Sequence, residues 1–123
     1  MKLRMHGNSL RFRLSPSEVA TLASEGKLEE SVQITPAASD LFIYVLETSA
    51  QCQEVRAWRC DCKLGVTLWE QLVRSWAASD QVGIEQTQPI GAGAHLHIAV
   101  EKDFDCLHPG RPHPKGRNFP RSP

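Results

Sequence analysis

The chain has 123 residues, 41% of them hydrophobic, with 14 basic and 14 acidic side chains. That length suits one domain with one core, and it holds no apolar run long enough to span a bilayer and no apolar signal core behind Met1-Lys2-Leu3-Arg4, so a cytoplasmic protein without membrane contact is expected. The zero net charge is unevenly spread: Arg111, Lys115, Arg117 and Arg121 give the segment beyond Cys106 a charge of +4, the rest carries −4, and a body of that sign argues against generic polyanion binding without a local basic patch.

Leu3 and Met5, then Leu10, Phe12 and Leu14, alternate with polar residues as half-buried strands do. His6-Gly7-Asn8-Ser9 interrupts them, and Gly7-Asn8 tolerates the positive φ of a tight turn. Ser15-Pro16-Ser17-Glu18 opens a helix: Ser15 is placed to cap, Pro16 takes the first helical position and Glu18 completes a capping box. Val19, Leu22 and Ala23 form its apolar stripe and Gly26 ends it. Leu28, Val32 and Ile34 predict a strand, Thr35 to Asp40 a loop, and Leu41 to Leu46 a denser strand. Val55 to Cys60 and Leu64 to Leu68 predict two more. A second helix follows from Trp69 to Ala78, with Trp69, Leu72, Val73 and Trp76 at helical spacing. Val82 to Glu85 and Leu96 to Val100 are the closing strands, with Gly91 to Gly93 in a loop. From Leu107 to Pro123, five prolines and two glycines forbid a helix or central strand, leaving a disordered tail or an extended arm.

Sliding the chain by 54 residues lays Leu10 on Leu64, Phe12 on Val66, Leu14 on Leu68, Val19 on Val73, Leu22 on Trp76, Tyr44 on Ile98, Leu46 on Val100 and Glu47 on Glu101, without a gap. Two ββαββ-type repeats, about 2–48 and 55–102, therefore share one domain over 1–106, followed by the basic tail 107–123. The expected fold class is α+β: a mainly antiparallel β barrel or sandwich with two helices.

The segment Leu3-Arg4-Met5-His6-Gly7-Asn8-Ser9-Leu10-Arg11-Phe12-Arg13-Leu14, followed by a capped helix and a strand pair, resembles the swapped-hairpin barrels of the AbrB, SpoVT and MazE families. In those families two chains interleave their hairpins, so the resemblance implies that one duplicated chain forms a pseudo-dimer alone, as a monomer or weak dimer. It also implies a DNA-facing strand surface, which falls here on Arg4, Asn8, Ser9, Arg11 and Arg13. The whole chain is similar as well to an uncharacterised bacterial family that opens on GNSLR and carries a late EKDF-x-C-L, here Glu101 to Leu107. That second likeness bears on fold alone.

The second repeat departs from the first where DNA would be touched. Arg4 becomes Trp58, Gly7-Asn8-Ser9 becomes Asp61-Cys62-Lys63, and Arg13 becomes Thr67. A two-fold operator reader presents matching halves, so three readings stay open. One is a non-enzymatic binding or regulatory protein that contacts DNA. Another is an interaction module that takes a partner protein through residues 107–123, as the tails of MazE-like antitoxins do. The last is a small metal or thiol site at Cys106 and His108, joined by Cys60 or Cys62. Zinc would suit those ligands chemically, but a single residue between Cys60 and Cys62 is shorter than the two to four of a zinc knuckle, and no resident cofactor is expected. His95 and His97 share a strand face, without an evident third ligand beyond Glu101 or Asp103. No phosphate loop, nucleophile elbow or HExxH motif is present, so no enzyme is expected.

Overall fold

In the computed structural model, whose described residues are 1–103, every alternating segment read from the sequence is a strand. The order is β1 (Lys2–His6), β2 (Ser9–Leu14), α1 (Pro16–Glu25), β3 (Lys27–Gln33), β4 (Leu41–Ser49), β5 (Arg56–Cys60), β6 (Lys63–Trp69), α2 (Glu70–Ala77), β7 (Gly83–Gly91) and β8 (Ala94–Lys102), with a short 3-10 turn at Ala38–Asp40. The fold is α+β, and the ββαββ order occurs twice. Two four-stranded sheets result, ordered β1-β2-β8-β7 and β3-β4-β6-β5. Each repeat gives its first hairpin to the sheet that the other repeat's second hairpin completes. Neighbours within a hairpin run antiparallel, but the joins between hairpins, β2 with β8 and β4 with β6, are parallel. Sequence pattern carries no record of these two joins, because both partners alternate in the same way.

The chain divides into two compact units. The first holds Met1–Ser17 and, among the described residues, the chain from Val82. Its sheet buries Leu10, Phe12 and Leu14 from β2 beside Ile98 and Val100 from β8 and Ile84 from β7. The second holds Glu18–Gln81 and buries Leu46, Val66 and Leu68 on one face of its sheet. There α2 packs on β6 and β4, with Val73 and Trp76 fully covered. Val19 and Leu22 of α1 are also buried, as the apolar stripe predicts. Gly26 ends α1 at φ +81°: its N–H donates to the Leu22 carbonyl (3.0 Å) and its carbonyl accepts from the Thr48 N–H (2.9 Å).

The repeats correspond less evenly than an ungapped shift implies. β4 and β8 keep the 54-residue offset, but Lys27 and Gly83, which oppose Glu47 and Glu101, stand 56 apart. Two extra residues between the start of α2 and β7 are offset by a tighter second hairpin, where Ala92 and Gly93 turn the chain at φ +53° and +77° in place of the Ile34–Asp40 loop. β7 also runs well beyond Glu85. Pro89, which cannot donate to a ladder, is accommodated because β7 is an edge strand with a register shift between Pro89 and Gly91. Among the described residues, no helix is long and apolar enough to cross a membrane.

Candidate nucleic-acid interface

Because β2 buries its even-numbered residues, its odd ones face outward, and the register carries that face across the sheet. Three rows result. The first is Lys2, Arg13, Glu101 and Gly83; the second is Arg4, Arg11, Ala99 and Glu85; the third is His6, Ser9, His97 and Thr87.

The first two rows set like charges directly opposite each other on the β1–β2 hairpin, Lys2 against Arg13 and Arg4 against Arg11. Such pairs destabilise a hairpin unless something compensates them. The compensation comes from β8. Glu101, with a side chain only 15% exposed, forms an ion pair with Arg11 and lies 3.6 Å from the Arg13 Nε. Both arginine side chains stay partly exposed, at 41% for Arg11 and 49% for Arg13, so one carboxylate holds two outward-facing arginines. Lys2 Nζ lies 3.5 Å from the buried carboxylate of Asp103, whose N–H donates to the Leu14 carbonyl. Arg4 has no ion-pair or hydrogen-bond partner among the described residues.

The structure thus places Arg4, Ser9, Arg11 and Arg13 on one surface. Asn8 differs: its amide donates to the His95 carbonyl, while its own carbonyl accepts from the His97 N–H (3.0 Å), so it latches the turn to β8. Ser9 Oγ donates to the His6 carbonyl (2.6 Å). Lys2 and His6, two residues either side of Arg4, follow from strand parity alone. Glu101 and His97 do not, because they reach this face through the parallel β2–β8 join.

The matching positions of the second sheet hold different chemistry. Trp58 takes the place of Arg4 and Gly65 that of Arg11. The indole lies over Gly65, so close that a Cβ there would stand 2.1 Å from Cζ2. Its Nε1–H donates to Thr67 Oγ1 (3.0 Å), which donates to Glu47 Oε2 (3.1 Å). The carboxylate slot is kept and the guanidiniums are gone. Arg56, a possible substitute, pairs with Glu54 (3.1 Å).

Cys60 and Cys62 are exposed free thiols flanking Asp61, which turns the β5–β6 hairpin at φ +52°, and Cys52 is a free, half-buried thiol. Among the described residues no group of three His, Cys, Asp or Glu side chains could hold a metal. Of Glu101 and Asp103, the two third ligands that the sequence offers for His95 and His97, Glu101 pairs with Arg11 and Arg13 and Asp103 with Lys2. Cys106 and His108, like the tail 107–123, lie outside the described residues.

No curated protein and no solved structure matches the chain. The match that does span it covers residues 1–122, and by it the chain belongs to a family of unknown function, DUF7009.

Proposed function

We propose that the protein is a non-enzymatic binding protein that engages the phosphate backbone of DNA through the outer face of the β1–β2–β8–β7 sheet, from one half of its duplicated fold. The observation that carries this reading is the stacked pair of like-charge cross-strand positions, Lys2 opposite Arg13 and Arg4 opposite Arg11, against two carboxylates, Glu101 shared by Arg11 and Arg13 and Asp103 beside Lys2. Folding alone does not call for that surplus. A line of phosphates would relieve it, and Arg11 and Arg13 are already oriented by Glu101 to present donors outward. The exchange of hairpins between repeats supports the resemblance to swapped-hairpin barrels, which brought DNA into view. The Trp58–Gly65–Thr67 replacement in the other sheet supports contact from one half only.

Fluorescence anisotropy with a labelled random duplex tests the reading. Binding is expected at about 50 mM salt and should weaken steeply by about 200 mM, because counterion release drives it. Arg4→Ala and Arg13→Ala should each weaken binding to every sequence alike and lower the salt slope by about 1. Absence of binding at low salt, or binding indifferent to both substitutions, would refute it.

A further inference from the structure

The histidine row runs beside the arginine row on the same outer face. His6 and His97 flank Ser9 across the sheet, and His95 stands two residues before His97 along β8. All three side chains are exposed. The imidazoles of His6 and His95 engage no side chain among the described residues. His97 sets Nδ1 3.4 Å from Thr87 Oγ1 and Nε2 3.9 Å from Glu85 Oε1.

The charged groups facing them are few: Lys2 and Arg4 from β1, Arg11 and Arg13 from β2, Glu101 and Asp103 from β8 and just beyond it, and Glu85 from β7. Four cations against three acids leave this face at +1 while the imidazoles are neutral, and at +4 when all three are protonated. Three of the four fixed cations already have carboxylate partners. The histidines therefore decide how much uncompensated charge a polyanion meets.

We infer that His6, His95 and His97 make this face a proton-linked phosphate site, whose affinity rises as the medium is acidified. The inference rests on the proposed DNA contact and adds its regulation. Histidine as a class changes charge between about pH 5 and 8. A line of phosphates beside the imidazoles attracts their protonated form and not their neutral one. Binding therefore takes up protons, is strongest at low pH, and weakens toward the level that the arginines alone sustain as pH rises. Each imidazolium that meets a phosphate also releases one more counterion, so acidification steepens the salt dependence.

The test is duplex binding at about pH 8 and about pH 5.5 at fixed ionic strength, for the wild type and for H6Q/H95Q/H97Q. The expected result is an increase in affinity of about tenfold on acidification, with a salt slope steeper by about 1 to 3, both absent from the triple variant. The rise is read within each protein as the ratio of its affinities at the two pH values, so any contact that the neutral imidazoles make at the higher pH does not enter it. Equal wild-type affinities at the two pH values overturn the inference, as does a triple variant that keeps the rise. Binding that depends on Arg4 but ignores pH leaves the DNA reading standing and removes this one. Absence of binding at both pH values removes both. Circular dichroism of the triple variant at each pH shows that folding is intact.

Discussion

Replacing Gly65 with alanine should force the Trp58 indole off its sheet. The new methyl carbon would stand 2.1 Å from Cζ2, 2.4 Å from Cε2 and 2.6 Å from Cη2, where non-bonded carbons require about 3.5 Å. The strand cannot retreat, because β6 is paired on both sides, with β4 and β5. The ring cannot slide in place either, because Nε1 is fixed to Thr67. Gly65 lacks a positive φ, so backbone strain is no part of the cost. Overpacking of this kind costs about 1–3 kcal/mol, and loss of the indole hydrogen bond adds about 1 kcal/mol. The expected destabilisation is about 2–4 kcal/mol, less about 0.5 kcal/mol that alanine recovers over glycine in a strand.

Urea unfolding followed by far-ultraviolet circular dichroism measures it, and a double-mutant cycle isolates the cause. Trp58→Ala alone forfeits the ring's burial and its bond. Once the ring is absent, the three atoms nearest the alanine at 65 are gone, so the double variant should be more stable than the sum of the two losses predicts, by about 2 kcal/mol. A Gly65→Ala protein within about 0.5 kcal/mol of wild type, or an additive cycle, would refute the reasoning.

Glu101→Gln removes the carboxylate that Arg11 and Arg13 share, and should cost about 1.5–3 kcal/mol in the same unfolding assay. Added salt should shrink the deficit by screening the exposed arginines, and duplex binding at low salt should tighten; unchanged stability would show that the shared pair contributes nothing. Tyr44 is the only tyrosine in the chain, so its ionisation can be followed by ultraviolet absorption. Burial first, then Glu30, whose Oε1 accepts from the phenol at 3.1 Å, and Glu18 push its pKa above 10.0. The midpoint should therefore exceed that of the unfolded chain and fall in Glu30→Gln. The associated stability is fully present below about pH 10 and is lost as pH rises through the raised folded value; a midpoint at the free-tyrosine value would contradict the Tyr44–Glu30 contact.

Local order was legible where a residue's neighbours along the chain decide its state. Alternation in Leu10, Phe12 and Leu14 marks β2, and Pro16 and Gly26 bracket α1. The outward placement of Arg11 and Arg13 follows from the same parity. What stayed hidden depends on strand pairing at long range. Nothing around Arg11 indicates that its partner is Glu101, because a two-period pattern fits any neighbouring strand in either direction. The 54-residue shift also concealed the two-residue displacement of β7, since Leu28 finds an apolar counterpart at either offset, Val82 at 54 and Ile84 at 56. Trp58 was legible as the loss of an arginine, but its seat on Gly65 needed the β5–β6 register.

Glu47 and Glu101 explain how the repeats carry different surface chemistry on the same fold. Each sits at the same place on β4 or β8, opposite Thr67 or Arg13, and a half-covered carboxylate there needs donors. In the second sheet a threonine hydroxyl meets that need, backed by an indole N–H, and the chain of donors closes on itself. In the first sheet two guanidiniums meet it and bring more charge than one carboxylate removes, with Arg4 added beside them. Both solutions satisfy the acid, so folding does not distinguish them. The difference lies in what surrounds each acid: Glu47 ends a neutral chain of donors under an aromatic ring, whereas Glu101 holds two outward-facing arginines with Arg4 beside them. That residue of unmet charge, rather than the shared architecture, is what points to a binding surface on the β1–β2 hairpin.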